Sequence, residues 1–292
     1  MLVGVPAALG LRQSVARQAH PEPPPVGSDR PYLAANVALA LLSAALTAAL
    51  FLLVLLLVEG WRRSPAVAAL TVTVVPLAAF AAGPLARAAR AGTRSEAIAG
   101  AILTAGGLAA LAVPPAAELG WTVAPQALVG LGLGLTVDSL TAAALHGRVP
   151  RALHGGWTIA ARHAGVVAGL AILTPVFTAD LRDARPPAEE AIARLVLDAP
   201  LSATVKLDLA DGLGTRLDDE RGRVPDLDPA FARLRLPLPS ALIAAQLHRE
   251  LEDQLQRAAT RAFRRAFLIA AALALLALLP ALALRDREVA RA

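Results

Sequence analysis

Apolar residues along the chain are gathered into six long runs, separated by shorter polar stretches. Each run is close to the roughly 20 residues that a helix needs to cross a hydrocarbon layer about 30 Å thick. A single segment in lipid can satisfy its own backbone hydrogen bonds only as a helix. The pattern therefore predicts an all-α integral membrane protein, a bundle with six spans at residues 33–58, 66–82, 96–116, 122–145, 155–177 and 267–284.

A polar segment of about eighty residues separates the fifth run from the sixth. Its apolar positions predict helices at 188–197 and from Ser240 onward, where an apolar residue recurs every fourth position, at Ile243, Leu247, Leu251 and Leu255. The later helix can continue without a break into the sixth span. The chain then divides into an N-terminal segment, a five-span bundle, a partly helical insertion, and the sixth span with a short tail, at 1–31, 32–178, 179–265 and 266–292.

The arginines outside the insertion indicate the orientation in the membrane. With a cytoplasmic N-terminus, eleven of them lie on the cytoplasmic side and only Arg62 and Arg63 lie in the short outer loops. Cytoplasmic loops carry an excess of Lys and Arg, so we expect a multi-pass protein of the cell membrane with both termini in the cytoplasm. The insertion then lies outside. Three arginines at the outer end of the sixth span oppose this trend, but long translocated segments are largely exempt from it.

Composition and motifs narrow the possible functions. The net charge is +5, but the excess arginines flank the spans, so the topology accounts for them and we expect no nucleic-acid partner. There is no cysteine, and therefore no thiolate metal site. The acidic pairs Asp208/Asp211 and Asp226/Asp228 lack the ligand spacing of an EF-hand. No P-loop, HExxH, GxSxG or kinase motif occurs, so we expect no enzyme, no cofactor and no metal.

Two charged residues inside apolar runs are the strongest candidates for function. A charge at membrane depth costs at least about 2.5–3.5 kcal/mol, which makes such a residue a functional candidate by default. Asp138 lies seven residues before the end of the fourth predicted span, and Arg162 lies seven residues after the start of the fifth. Both would then be about 10 Å from the cytoplasmic boundary. We expect an ion pair between them, which either locks two helices together or takes part in substrate or proton coupling.

Further polar and small residues share faces with these charges. His163 could relay protons, although the sequence favours a packing role for it. Asn36, Gln126 and Thr158 could line a pathway. Residues four apart share a helix face, and small residues there allow two helices to approach closely. We therefore expect the two glycine faces to turn inward with their charges; they consist of Gly130 and Gly134 beside Asp138, and of Gly165 and Gly169 beside Arg162.

Four stretches of the chain form a familiar series, namely ANVALALLSAALTAALFLLVLLLVEGW, AGPLARAARAG, QALVGLGLGLTVDSLTAAAL and GGWTIAARHAGVVAGLAIL. Together they resemble the C-terminal half of a major facilitator superfamily transporter. The most similar subtype is the fourteen-helix drug:proton antiporter of Ala- and Arg-rich bacterial proteomes. The most specific part runs from Arg162 to Ala171 and is similar to the R-x-x-G-x-x-x-G-x-A stretch of the penultimate helix. The segment from Gly83 looks like the loop motif G-x-L-A-D-R-x-G, but Arg87 stands where the family has Asp.

The resemblance implies proton-coupled efflux of small amphipathic molecules, with the lipid bilayer, protons and a small-molecule substrate as partners. It covers residues 31–178 and the last span, so the family's N-terminal half is absent. Alternating access rocks one half against the other, and we therefore expect a fragment, or a protein that needs a partner half or a second copy. The alternative is a membrane anchor without transport activity that presents residues 179–265 for interaction.

Overall fold

The computed structural model describes residues 30–114, 117–219, 224–234 and 236–284. Within these ranges all regular structure is helical and there is no strand. The predicted segment 1–31 lies almost entirely outside the described residues, and the tail from residue 285 lies wholly outside them. The helices are α1 Arg30–Leu55, α2 Pro65–Val72, α3 Val74–Ala89, α4 Thr93–Leu111, α5 Gly120–Leu145, α6 Arg151–Asp198, α7 Ala203–Asp219, α8 Asp228–Ala232, α9 Leu238–Leu276 and α10 Leu278–Leu282.

Among the described residues, five helical stretches are long and apolar enough to cross a membrane. They coincide with five of the six predicted spans and run over Arg30–Gly60, Pro65–Ala89, Gly120–Leu145, Arg151–Asp198 and Leu238–Leu282. The third predicted span forms helix α4, which is not among the five. Its first turn carries Arg94 and Glu96 and leaves the 19-residue helix too polar. The all-α architecture with several membrane-length helices is therefore as expected, while the third predicted span and the count of six remain predictions.

The apolar helices share one hydrophobic core. Its largest fully buried members include Trp61 and Phe267, and it draws residues from α1, α4, α5 and α9. Alanine is frequent in this core, and α4 and α5 also carry buried glycines. Such small residues bring helix backbones close together. The single π-helical turn Leu56–Gly60 ends α1 and delivers Trp61 into the core.

Two helices extend far beyond the bundle. Helix α6 has 48 residues and α9 has 39, which correspond to lengths of about 72 Å and about 58 Å at 1.5 Å per residue. Both exceed the hydrocarbon thickness of about 30 Å. The fifth predicted span and the predicted helix at 188–197 are thus one helix, and α9 likewise joins the insertion to the sixth span.

The insertion has a hydrophobic core of its own. This second core contains ten buried residues from the far end of α6, from α7, from the α8 segment and from the first half of α9, namely Ile192, Val196, Ala199, Leu209, Leu213, Leu227, Ala230, Leu247, Leu251 and Leu255. The fourfold spacing of leucines in α9 is the face that packs here. The insertion is therefore a small folded unit built on two helices that continue from the bundle.

The helix contacts of the bundle follow a repeated pattern. We divide the apolar helices into a first triplet, α1, α2–α3 and α4, and a second triplet, α5, α6 and α9–α10. Helix α1 packs on α6 as α5 packs on α3, and α1 packs on α9 as α5 packs on α4. Helices α1 and α5 also touch each other, as do α4 and α9. If α1, α2–α3 and α4 are exchanged with α5, α6 and α9–α10 in that order, each of these contacts becomes a contact that is also observed. The exception is the extensive contact of α6 with α9, because the corresponding helices α3 and α4 have no comparable contact.

Candidate functional site

The glycine face of α6 packs against the first helix. Gly165 lies against the backbone of Ala40 and Gly169 against that of Ala44, and a Cβ atom added to either glycine would overlap the facing carbonyl oxygen. Thr158 shares this face and is buried, and its hydroxyl donates a hydrogen bond of 3.0 Å to the carbonyl oxygen of His154. This face is a closed helix contact, so Thr158 does not line an open path in this bundle.

The glycine face of α5 packs against a different helix. Gly130 lies against the backbone of Val75, and Gly134 against that of Ala79, both in α3. We expected the glycine faces of α5 and α6 to turn toward a shared interior and bring their charges together. They pack instead on α3 and α1, because those helices present small residues or bare backbone at a matching spacing of four.

The expected ion pair between Asp138 and Arg162 is not formed in the part of the chain that the structure describes. Both side chains are exposed on the surface of the bundle. Helices α5 and α6 touch only sparsely, since each packs on α1 more extensively than on the other. Adjacency along the chain therefore does not make these two helices close neighbours in space.

Asp138 has a carboxylate neighbour that sequence reasoning missed. Glu96, in the first turn of α4, lies close enough to Asp138 for the two negative charges to interact. The signal was present in the sequence, since Glu96 opens the third predicted span, but its partner depends on the packing of α4 against α5. The packing of α4 on α5 thus brings two carboxyl groups of the same charge near each other.

The other polar candidates have local environments. His163 is exposed, and its Nδ1 atom lies 2.9 Å from the carbonyl oxygen of Ile159, so a proton on that nitrogen is donated within the helix. Asn36 is buried and donates a hydrogen bond of 2.8 Å to the carbonyl oxygen of Tyr32. Its Oδ1 atom is buried without a hydrogen-bond partner among the described residues. The structure brings neither residue to Asp138.

A polar cluster lies where α1 and α6 begin. The guanidinium group of Arg148 is buried and stands 4.8 Å from the centre of the Tyr32 ring. The ring of His154 meets the same tyrosine edge-on, with centroids 5.2 Å apart. Asn36 completes the cluster through its bond to Tyr32. Sequence reasoning found only Asn36, because the others lie at helix ends where polar residues are ordinary.

Buried polar groups also lie between α4 and α5. The Gln126 amide donates a hydrogen bond of 2.9 Å to the hydroxyl oxygen of Thr122, and Thr136 donates one of 2.9 Å to the carbonyl oxygen of Gly132. Thr104 faces Gly132 across the helix contact. These groups are fully enclosed by helix packing, so they strengthen a contact and do not form a lumen.

No family model matches this chain, and no curated protein matches it either. The functional conclusion rests on the residues and on the geometry of the bundle.

Proposed function

We propose that the protein is a half-length secondary transporter, which exports small amphipathic molecules in exchange for protons together with a partner half or a second copy. One observation carries the proposal, namely the exchange of helix contacts between the two triplets. Transporter halves of the major facilitator type are built from two repeats of three spans with inverted topology. With three spans in each repeat, the second repeat begins on the opposite side of the membrane and has the inverted orientation. In such a bundle equivalent helices make equivalent contacts, as α1 does with α6 and α5 does with α3.

The exposed charges support the requirement for a partner. Asp138 and Arg162 project from the surface of helices that are long and apolar enough to span a membrane. Each would cost at least about 2.5–3.5 kcal/mol if it faced hydrocarbon at membrane depth. A protein surface or a water-filled route next to the bundle removes this cost, and a second half-transporter supplies both.

Within this proposal the residues have different roles. Asp138 and its neighbour Glu96 bind the coupled proton, since they are two carboxyl groups on the contacting helices α5 and α4. Arg162 and His163 lie on the exposed face of α6 and contact the substrate or the partner half. The termini lie in the cytoplasm, and the insertion lies outside the cell.

The test is proton-coupled transport by the full chain in proteoliposomes. Ethidium is the probe, and a pH-sensitive dye inside the vesicles records proton movement when ethidium is added. Two copies of the chain should exchange ethidium for protons. Asp138→Asn should abolish this movement, while Glu118→Gln, which removes a carboxylate just before α5, should leave it unchanged. Absence of coupled flux in the unmodified chain at high protein density would contradict the two-copy form, and unchanged flux in Asp138→Asn would contradict the role of Asp138.

A second candidate function is favoured by the hydrophobic core of the insertion. A unit with ten buried apolar residues, held on extensions of α6 and α9, is rigid enough to present a binding surface. In this case the bundle is an anchor. It predicts that neither ethidium nor Asp138→Asn changes proton movement, so the same experiment separates the two candidates.

A further inference from the structure

The insertion carries three metal-ligating side chains that the proposed transport does not use. Asp228 begins α8, while His248 and Glu252 lie four residues apart on one face of α9. One ligand atom from each of the three residues lies within 4.8 Å of those of the other two. The side chains therefore converge from two separate segments on one point.

The imidazole ring of His248 is held in place by an aromatic neighbour. It packs against the ring of Phe231, with centroids 4.7 Å apart, and the histidine side chain is only 19% exposed. Its Nε2 atom is buried and has no hydrogen-bond partner among the described residues. The nearest carboxylate oxygen, Oδ1 of Asp228, is 3.4 Å away. A fixed ring thus directs an unsatisfied nitrogen at two carboxylates.

We propose that Asp228, His248 and Glu252 bind a divalent transition-metal ion, with Zn²⁺ as the ion that fits best. Imidazole nitrogen and carboxylate oxygen are both zinc ligands, and a site with three protein ligands leaves the fourth position to water. Calcium and magnesium favour shells of oxygen alone. A tetrahedral zinc ion with bonds of about 2.1 Å holds neighbouring ligand atoms about 3.4 Å apart, and Asp228 and His248 already have this separation. Glu252 is only partly buried, so its side chain is free to close the remaining distance.

The ion would connect the insertion to the bundle. The backbone N–H of Asp228 donates a hydrogen bond of 3.1 Å to Oδ1 of Asp226, and the Asp226 carboxylate forms an ion pair of 3.1 Å with Arg62. Arg62 lies in the connection between α1 and α2. The metal site is therefore linked through Asp226 to Arg62, just after the end of the first apolar helix. A bound zinc ion would hold the α8 segment against α9 at this place. This inference does not depend on transport activity.

The test is zinc binding by the full chain in lipid nanodiscs, purified on a tag without histidine. Titration with zinc chloride in competition with a chelating dye should show one equivalent bound per chain. Asp228→Asn, His248→Ala and Glu252→Gln should each weaken binding at least tenfold, because each removes a direct ligand. Glu250→Gln, on the same helix but outside the cluster, should bind as the unmodified protein does. A thousandfold excess of magnesium should not displace the zinc.

Two results would overturn the proposal. One is the absence of stoichiometric zinc binding by the unmodified chain. The other is binding that survives Asp228→Asn and Glu252→Gln, since this would mean adventitious coordination by other groups. Asp228 is exposed, so its substitution leaves the second core intact and a loss of zinc binding there does not reflect unfolding. X-ray absorption of the zinc complex should show nitrogen and oxygen ligands at about 2.0–2.2 Å.

Discussion

The indole nitrogen of Trp61 donates a hydrogen bond of 2.9 Å to the hydroxyl oxygen of Thr260, a residue 199 positions away along the chain. Trp61 follows the π-helical turn of α1, and Thr260 lies in α9 where that helix passes from the insertion into the bundle. The indole is almost fully buried. This contact therefore joins the first apolar helix to the last one at the base of the insertion.

Replacement of Trp61 should destabilise the protein in two steps. Trp61→Phe removes the hydrogen bond and should cost about 1 kcal/mol, whereas Trp61→Ala also leaves a cavity and should cost about 3–5 kcal/mol. Unfolding of the two variants in detergent, followed by far-ultraviolet circular dichroism, measures both changes in stability. Trp157→Phe is the matched control, since Trp157 is 59% exposed. Equal stability of Trp61→Ala and the control would contradict the contact.

The close approach of α6 to α1 predicts a difference between glycines of one helix. Gly165→Ala places a methyl group onto the carbonyl oxygen of Ala40 and should cost about 1–3 kcal/mol or more through overpacking. Gly156 lies near the start of the same helix, with open space around it. Gly156→Ala should therefore be neutral or slightly stabilising, because alanine favours the helix. Thermal unfolding of the two variants is the measurement. A Gly165→Ala protein as stable as Gly156→Ala would mean that α6 does not pack there.

The second core predicts a local effect in the insertion. Leu251 is fully buried in that core, and Leu251→Ala should cost about 2–5 kcal/mol of its stability. Leu242→Ala, on the same helix at a position 71% exposed, should have little effect. Limited proteolysis in nanodiscs should cleave the insertion of Leu251→Ala faster and leave the bundle intact. Identical cleavage of both variants would show that the insertion lacks a core of its own.

Much of the fold follows from run length and spacing. The apolar runs place the membrane-length helices, and the leucines at every fourth position of α9 identify the face that packs in the insertion. The unbroken course of α6 could not be read from the sequence. Pro175, Pro186 and Pro187 lie inside this helix, although proline removes a backbone hydrogen bond. Helix α6 also packs extensively on α9, a contact between segments that are distant along the chain.

The candidate site was harder to foresee. Spacing shows that Gly165 and Gly169 share a face, but the choice of Ala40 and Ala44 as neighbours depends on packing between distant segments. The pairing of Asp138 with Arg162 assumed that consecutive helices are close neighbours. In the structure α1 packs against both α5 and α6, and these two helices contact each other only sparsely. Consecutive helices are therefore not close neighbours here.

The ligands of the metal cluster come from two segments twenty residues apart, and no spacing rule links Asp228 to His248. The i, i+4 pair of His248 and Glu252 was visible in the sequence but is common on exposed helices. Only the packing of α8 on α9 brings the third side chain to it.

The central claim is that Asp138 and Arg162 face water or a polar partner and not lipid. The chain has no cysteine, so single cysteines can be labelled without background. Asp138→Cys and Arg162→Cys should react with a charged methanethiosulfonate reagent in sealed and in permeabilised proteoliposomes, because a thiol ionises in water and not in hydrocarbon. Phe80→Cys, an exposed apolar position, and Leu140→Cys, a buried one, should stay unlabelled. Labelling of Asp138→Cys and Arg162→Cys only after the lipid is dissolved in detergent would contradict a translocation route along this bundle.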